Sequence, residues 1–150
     1  AWLAFAQETG KRVEIFRLSG IYGPGRSVID NLRAGTAKRI VKPGQVFNRI
    51  HVDDIARVVA HAIDTPTQYQ VYNVTDDEPT PPEVVLLHAA ELLGLPPPDA
   101  IPFETAGLSA MAASFWAECK RVSNKRMRQD LGADLLYPTF REGLRGILAV

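Results

Sequence analysis

His51, Asp53 and Asp54 fall within one short stretch and are of the types that hold a metal ion or move a proton. A second use competes with that chemistry. An aspartate just ahead of an apolar helical pattern caps the helix with its side-chain oxygen, and an acid in the first turn is favoured by the helix dipole. Ile55, Val58, Val59, Ala62 and Ile63 follow at helical spacing, so Asp53 is expected as the N-cap, Asp54 as a first-turn charge and His51 as a structural hydrogen-bonding residue. Arg49, two residues earlier, can contact an anionic group. Cys119 has no second cysteine to pair with and is expected as a buried, unreactive thiol. Gly20, Gly23 and Gly25 share a loop but lack the G-x-G-x-x-G spacing that brings backbone N–H groups to a pyrophosphate. A phosphate loop of the G-x-x-x-x-G-K-[ST] type, an H-E-x-x-H zinc helix and a G-x-S-x-G elbow are also missing, so complete sites of those kinds are excluded. No metal ligands and no catalytic residues are assigned.

The elements that must position these groups alternate between helix and strand. Residues 1–9 have helical composition, with Trp2, Phe5 and Ala6 on one face and Gly10-Lys11 ending it; with no initiator methionine or cap ahead, this reads as a helix entered partway. Val13 to Leu18 reads as a buried strand, and a helix followed by such a strand is half of a parallel α/β unit. Val28 to Ala34 can form a short helix, and 39–41 and 45–47 are short extended pieces around Pro43-Gly44. The helix from Val52 stops at Thr65-Pro66. Gln70 to Val74 follows as a strand, then Thr80 as cap, Pro81 at the first helical position and Glu83 in a capping box start a helix to Leu93. Ile101 to Phe103 reads as extended. Leu108 to Glu118 reads as a helix exposing Met111, Phe115 and Trp116, Lys125 to Leu131 as another, and Thr139 caps a last one through Leu148.

Seventeen basic and seventeen acidic residues cancel, which removes the electrostatic case for nucleic acid or an anionic membrane. The basic stretch Lys120 to Arg128 is expected as a solvated face. No apolar run approaches the ~20 residues that span a bilayer, and the chain is expected in the cytoplasm.

Two segments carry a family resemblance: Arg17-Leu18-Ser19-Gly20-Ile21-Tyr22-Gly23-Pro24-Gly25, and Asn48-Arg49-Ile50-His51-Val52-Asp53-Asp54-Ile55-Ala56. The first is similar to the strand ending in Arg-x-x-x-x-Tyr-Gly-Pro of extended short-chain dehydrogenase/reductases of the NAD-dependent epimerase/dehydratase type. The second resembles the start of a helix in their C-terminal region. A less specific likeness covers Lys120 to Arg126, Leu131-Gly132 and Tyr137 to Leu144. The resemblance implies one incomplete α/β domain over 1–150, the C-terminal part of a Rossmann-like NAD(P)-binding fold plus the small substrate-side lobe. It implies NAD or NADP as the parent protein's cofactor, with Leu18, Ser19, Gly20 and Ile21 against the nicotinamide ring and Tyr22, Phe47 and Arg49 toward a small-molecule substrate.

The family's Tyr-x-x-x-Lys pair is not in the chain: Arg26, Asn73, Asp76 and Arg141 stand four places after the four tyrosines. The expectation is a substrate-side portion that is inert alone, from an enzyme acting on a secondary alcohol or carbonyl. Phe47 occupies the position of an arginine that binds a diphosphate in nucleotide-sugar members, which argues against a standard nucleotide-diphospho-sugar. The alternatives are a non-catalytic binding or regulatory protein and a dimerisation module. Self-association through the first helix and an uncovered edge of strand 13–18 is expected.

Overall fold

Short parallel strands joined mainly by helices build the chain, as seen in a computed structural model that describes residues 1–65, 67 and 71–149. The elements run α1 (Trp2–Thr9), β1 (Ile15–Leu18), β2 (Gly20–Tyr22), α2 (Val28–Arg33), β3 (Arg39–Val41), β4 (Arg49–His51) and α3 (Val52–Asp64). They continue with β5 (Val71–Val74), α4 (Pro82–Leu93), β6 (Ala100–Pro102), a 3-10 turn at Phe103–Thr105, α5 (Ala110–Ser114), α6 (Lys125–Leu131) and α7 (Phe140–Leu148). Three parallel pairs form. Ile15 to Leu18 lie opposite Val71 to Val74, Gly20 to Tyr22 opposite Arg49 to His51, and Arg39 to Val41 opposite Ala100 to Pro102. The second register sets Gly20 beside Arg49 and Tyr22 beside His51.

Two apolar cores meet at the β2–β4 pair. In one, Ile29 of α2, Leu86 and Ala89 of α4, and Phe140 and Leu144 of α7 pack around Tyr22. In the other, Ile50, Val58 of α3, Tyr72 and Val74 of β5, and Met127 and Leu131 of α6 pack together. The helix ends follow local chemistry. Ser27 with Asp30 and Thr139 with Glu142 form capping boxes on α2 and α7, satisfying N–H groups that the first turn leaves unpaired.

Several sequence expectations change. The buried strand from Val13 is β1 from Ile15, and its Arg17 and Leu18 are exposed; among the described residues it bonds to β5 alone. The helix after Thr80 starts at Pro82. Pro81 is extended, with ψ 136°, and the Thr80 hydroxyl donates to the Glu78 carbonyl (2.7 Å) instead of capping. Thr80 and Phe47 form an antiparallel bridge, the one ladder contact of the 45–47 piece among the described residues. The helix across 108–118 shrinks to α5. Beyond it Trp116 turns inward to 8% exposure, while Met111 and Phe115 stay exposed. Cys119 is exposed, not buried, with its thiol against the Gly44 carbonyl (3.3 Å). In the basic stretch Arg128 pairs with Asp77 (2.6 Å) and Asp134 (3.3 Å), and Met127 is buried. Pro66, expected to stop α3, and Gln70, expected to open β5, lie outside the described residues. Among the described residues no helix is long and apolar enough to cross a membrane.

Ala6 buries the inner face of α1, but Trp2 (68%) and Phe5 (44%) stand exposed as an edge-to-face pair. With the uncovered edge of β1, they predict self-association in solution, reduced by Trp2→Asp. Light scattering checks this; a monodisperse monomer at high concentration contradicts it.

Candidate active-site cleft

The chain changes partners between Ser19 and Gly20. The Ser19 N–H still donates to the Val74 carbonyl of β5 (3.1 Å), whereas the Gly20 N–H donates to the Asn48 carbonyl, leading into β4 (3.1 Å). Where a strand leaves one neighbour for another a crevice forms beyond the strand ends, and such crevices hold the ligands of open parallel sheets. A cleft of about 720 Å3 lies there. It is lined by Leu18, Ser19, Gly20, Ile21 and Tyr22, with Phe47 and Arg49 on the facing segment. All seven residues singled out from the sequence thus come together in one cavity. Arg26, Asn48 and Phe115 line it too, and none of the three is among the site residues expected from the sequence. Gly20 sits so near the opposing backbone that a Cβ would meet the Asn48 carbonyl oxygen at 3.2 Å.

Behind the cleft lies a buried polar cluster. Tyr22 is held edge-on to His51 (5.1 Å) and lies so close to α7 that a Cβ on Gly143 would overlap its ring and hydroxyl. Its hydroxyl has no hydrogen-bond partner among the described residues, and burial with nearby Asp76 and Asp54 pushes its pKa up, so the phenol stays protonated. Arg49 donates from Nη1 to the carbonyls of Phe47 (3.0 Å) and Thr80 (3.1 Å); burial lowers its pKa while Asp76 opposes the shift. Asp76 is fully buried. Its N–H donates to the Arg49 carbonyl (2.7 Å), one side-chain oxygen accepts from the Glu78 N–H (3.3 Å), and burial pushes its carboxyl up to about 7.

His51, not Asp53, caps α3: its Nδ1 accepts from the Asp53 N–H (3.2 Å), which leaves the neutral ring's proton on Nε2. Burial holds its pKa below the ordinary value. Asp53 is exposed. Asp54 is wholly buried, and its two oxygens accept from the N–H groups of Leu136 (2.6 Å) and Tyr137 (3.1 Å). The four-residue stretch therefore serves structure: among the described residues no group of His, Cys, Asp and Glu is arranged to hold a metal.

Directly after the cleft residue Phe115 comes a strap running from Trp116 to Val122. Lys42 donates to the Trp116 carbonyl (2.5 Å), Gln45 to that of Glu118 (2.9 Å) and Asn48 to that of Lys120 (2.8 Å), while the Asn48 oxygen accepts from the Val122 N–H (2.9 Å).

No family model matches the chain. It is 30% identical over 140 residues to a 3-diazoavenalumate denitrifying reductase from Streptomyces sp, covering 87% of this chain and 45% of that one. A solved structure of a functionally unknown conserved protein from Silicibacter pomeroyi DSS superimposes with a TM-score of 0.91 at 49% identity, over 98% of this chain and 52% of that one. A human epimerase family protein solved with NADPH superimposes with a TM-score of 0.76 at 21% identity, over 93% and 49%. The fold is that of the Rossmann-like NAD(P)-binding epimerases and dehydratases. Structural neighbours of that family align along nearly all of this chain, and the chain spans about half the length of the proteins it matches.

Two tests follow from the buried carboxylates. Asp54→Ala leaves two N–H groups without their acceptor and is expected to cost about 2–5 kcal/mol in urea unfolding. Asp76 keeps its proton in the folded chain up to about pH 7, whereas the unfolded chain releases it near pH 4. Folded stability therefore falls as pH rises through that window, by up to roughly 4 kcal/mol. Asp76→Asn is expected to flatten this slope; an unchanged slope between pH 4 and pH 7 would place the effect elsewhere.

Proposed function

We propose that this chain is the C-terminal, substrate-side portion of an NAD(P)-dependent oxidoreductase of the epimerase/dehydratase type, acting on a secondary alcohol or carbonyl. The carrying observation is the change of strand partner at Ser19 and Gly20, with the cleft built on it. Leu18, Ser19, Gly20 and Ile21 form one continuous surface of the cleft, and Gly20, with no side chain, lets this strand close onto the Asn48 carbonyl. NAD or NADP fits that surface with its nicotinamide end; when bound, the cofactor supplies the hydride chemistry. The protein's own share is placement. Tyr22, buried and protonated, forms one end of the substrate space, and Phe47 and Arg49 form the facing side. The NADPH of the human neighbour and the reductase name of the Streptomyces relative support this reading.

A lysine four residues after a tyrosine is absent from the sequence, so the proton relay is assigned to the remainder of a longer protein and this chain is inert alone. Phe47 in place of a diphosphate-binding arginine turns the assignment away from nucleotide-diphospho-sugars.

Calorimetric titration of NADH and NADPH, followed in parallel by amide NMR, tests the proposal. Micromolar binding is not expected, because the glycine-rich pyrophosphate loop is absent from the sequence. Nicotinamide mononucleotide at millimolar concentration is expected to shift the amides of Ser19, Gly20 and Ile21. Micromolar affinity would overturn the partition of the cofactor site, and unmoved amides would overturn the cleft assignment.

A further inference from the structure

Several polar groups around the cleft are engaged already. Asn48 spends its amide nitrogen on Lys120 and its oxygen on Val122. Asp30 accepts from the N–H (2.8 Å) and hydroxyl (2.6 Å) of Ser27, which locks both side chains in the α2 capping box. Those groups are not left to meet the hydroxyls of a polyol ligand. The cleft offers other features in their place.

The first is aromatic. Phe47 is pinned by two backbone bonds to Thr80 (3.1 Å each) and stands edge-on to Trp116 (5.1 Å, 87°). Trp116 leans on Phe103 (5.4 Å), whose ring carries the Lys42 ammonium at 4.8 Å. The Phe47 ring is thus backed by a packed stack and need not reorganise to receive a ligand. Phe115 lines the same cleft and is 68% exposed, an apolar surface that a flat ligand would cover. The second feature is cationic. Arg26 lines the cleft and its guanidinium has no ion-pair partner among the described residues. Arg49 hydrogen-bonds through Nη1 alone among the described residues, with Asp76 nearby. The acid lining the cleft, Asp30, is the one held in the capping box.

We propose that the cleft takes a small aromatic carboxylate, its ring between Phe47 and Phe115 and its carboxylate toward Arg26 and Arg49. The proposal rests on the reading of this cleft as the substrate site. It narrows the secondary alcohol or carbonyl to one carried on a planar aromatic acid. Guanidinium groups match a carboxylate with paired N–H donors, and an aromatic ring gains from stacking without needing hydrogen bonds from the wall.

Cinnamate, cinnamamide and cyclohexanecarboxylate titrated into the 150-residue chain, followed by amide NMR, test it. Cinnamate is expected to shift Phe47, Phe115 and Ile21 and to bind about tenfold tighter than the amide or the saturated acid. Phe115→Ala, at an exposed position, is expected to weaken cinnamate about fivefold. Arg26→Gln is expected to erase the preference for acid over amide while the fold, read from the remaining amides, is unchanged. Equal binding of acid and amide, or indifference to Phe115→Ala, would overturn the proposal. If nicotinamide mononucleotide shifts the cleft amides and cinnamate does not, the aromatic-acid class falls and the cleft assignment stands; if neither shifts them, both fall.

Discussion

The Asp54 carboxylate, fully buried at the start of α3, is the constraint on which the rest of the site depends. By accepting from Leu136 and Tyr137 it fixes the approach to α7 against the start of α3. From there the packing runs in sequence. The Tyr137 ring tilts onto His51 at 4.3 Å, His51 meets Tyr22 edge-on, and Tyr22 rests against Gly143 of α7. Each contact removes a freedom from the next, so the position of the cleft's buried tyrosine is set by an acid that does not line the cleft. A buried charge is costly unless fully hydrogen-bonded, and two backbone donors at the N-terminal end of a helix meet that requirement.

On this frame the electrostatics of the cleft are asymmetric. Arg26 and the half-buried Arg49 line the cleft, while the fully buried Asp76 has a carboxyl that burial biases toward neutrality. A permanently ionised Asp76 would cancel much of the field of Arg49; a carboxyl near its midpoint at neutral pH cancels less. His51, wedged between the tyrosines, is biased toward neutrality by the same burial.

The sequence was most legible where local pattern and tertiary need agree. The apolar periodicity of α3, the extended run into Leu18 and the Thr139 cap all reappear, and the seven residues drawn from the family resemblance line one cavity. It was least legible where two equivalent local solutions compete. Asp53 and His51 can both cap α3, and the buried ring wins because Asp54 and Tyr137 hold the histidine side inward. Thr80 before two prolines looks like a cap, but its backbone is drawn into the bridge with Phe47. Trp116 and Cys119 exchange their expected burial because contacts from more than 70 residues away, at Lys42 and Gly44, decide how the strap lies. Phe115 joins the cleft only through such long-range packing, for which no spacing rule exists, whereas Arg26 is placed by its local bridge to Gly23 and Asn48 by its expected neighbours Phe47 and Arg49.

The strap from Trp116 to Val122 is tied down through main-chain atoms. The carbonyls of Trp116, Glu118 and Lys120 and the N–H of Val122 all bond to side chains that belong to residues 42–48. Lys42, Gln45 and Asn48 therefore recognise a backbone path and not a set of side chains. Exposed residues on and beside that path, Phe115 among them, can be exchanged without loosening the lacing, whereas buried Trp116 is held by Phe47 and Phe103. This gives descendants of the scaffold a wall whose chemistry is free to diverge while its course is inherited.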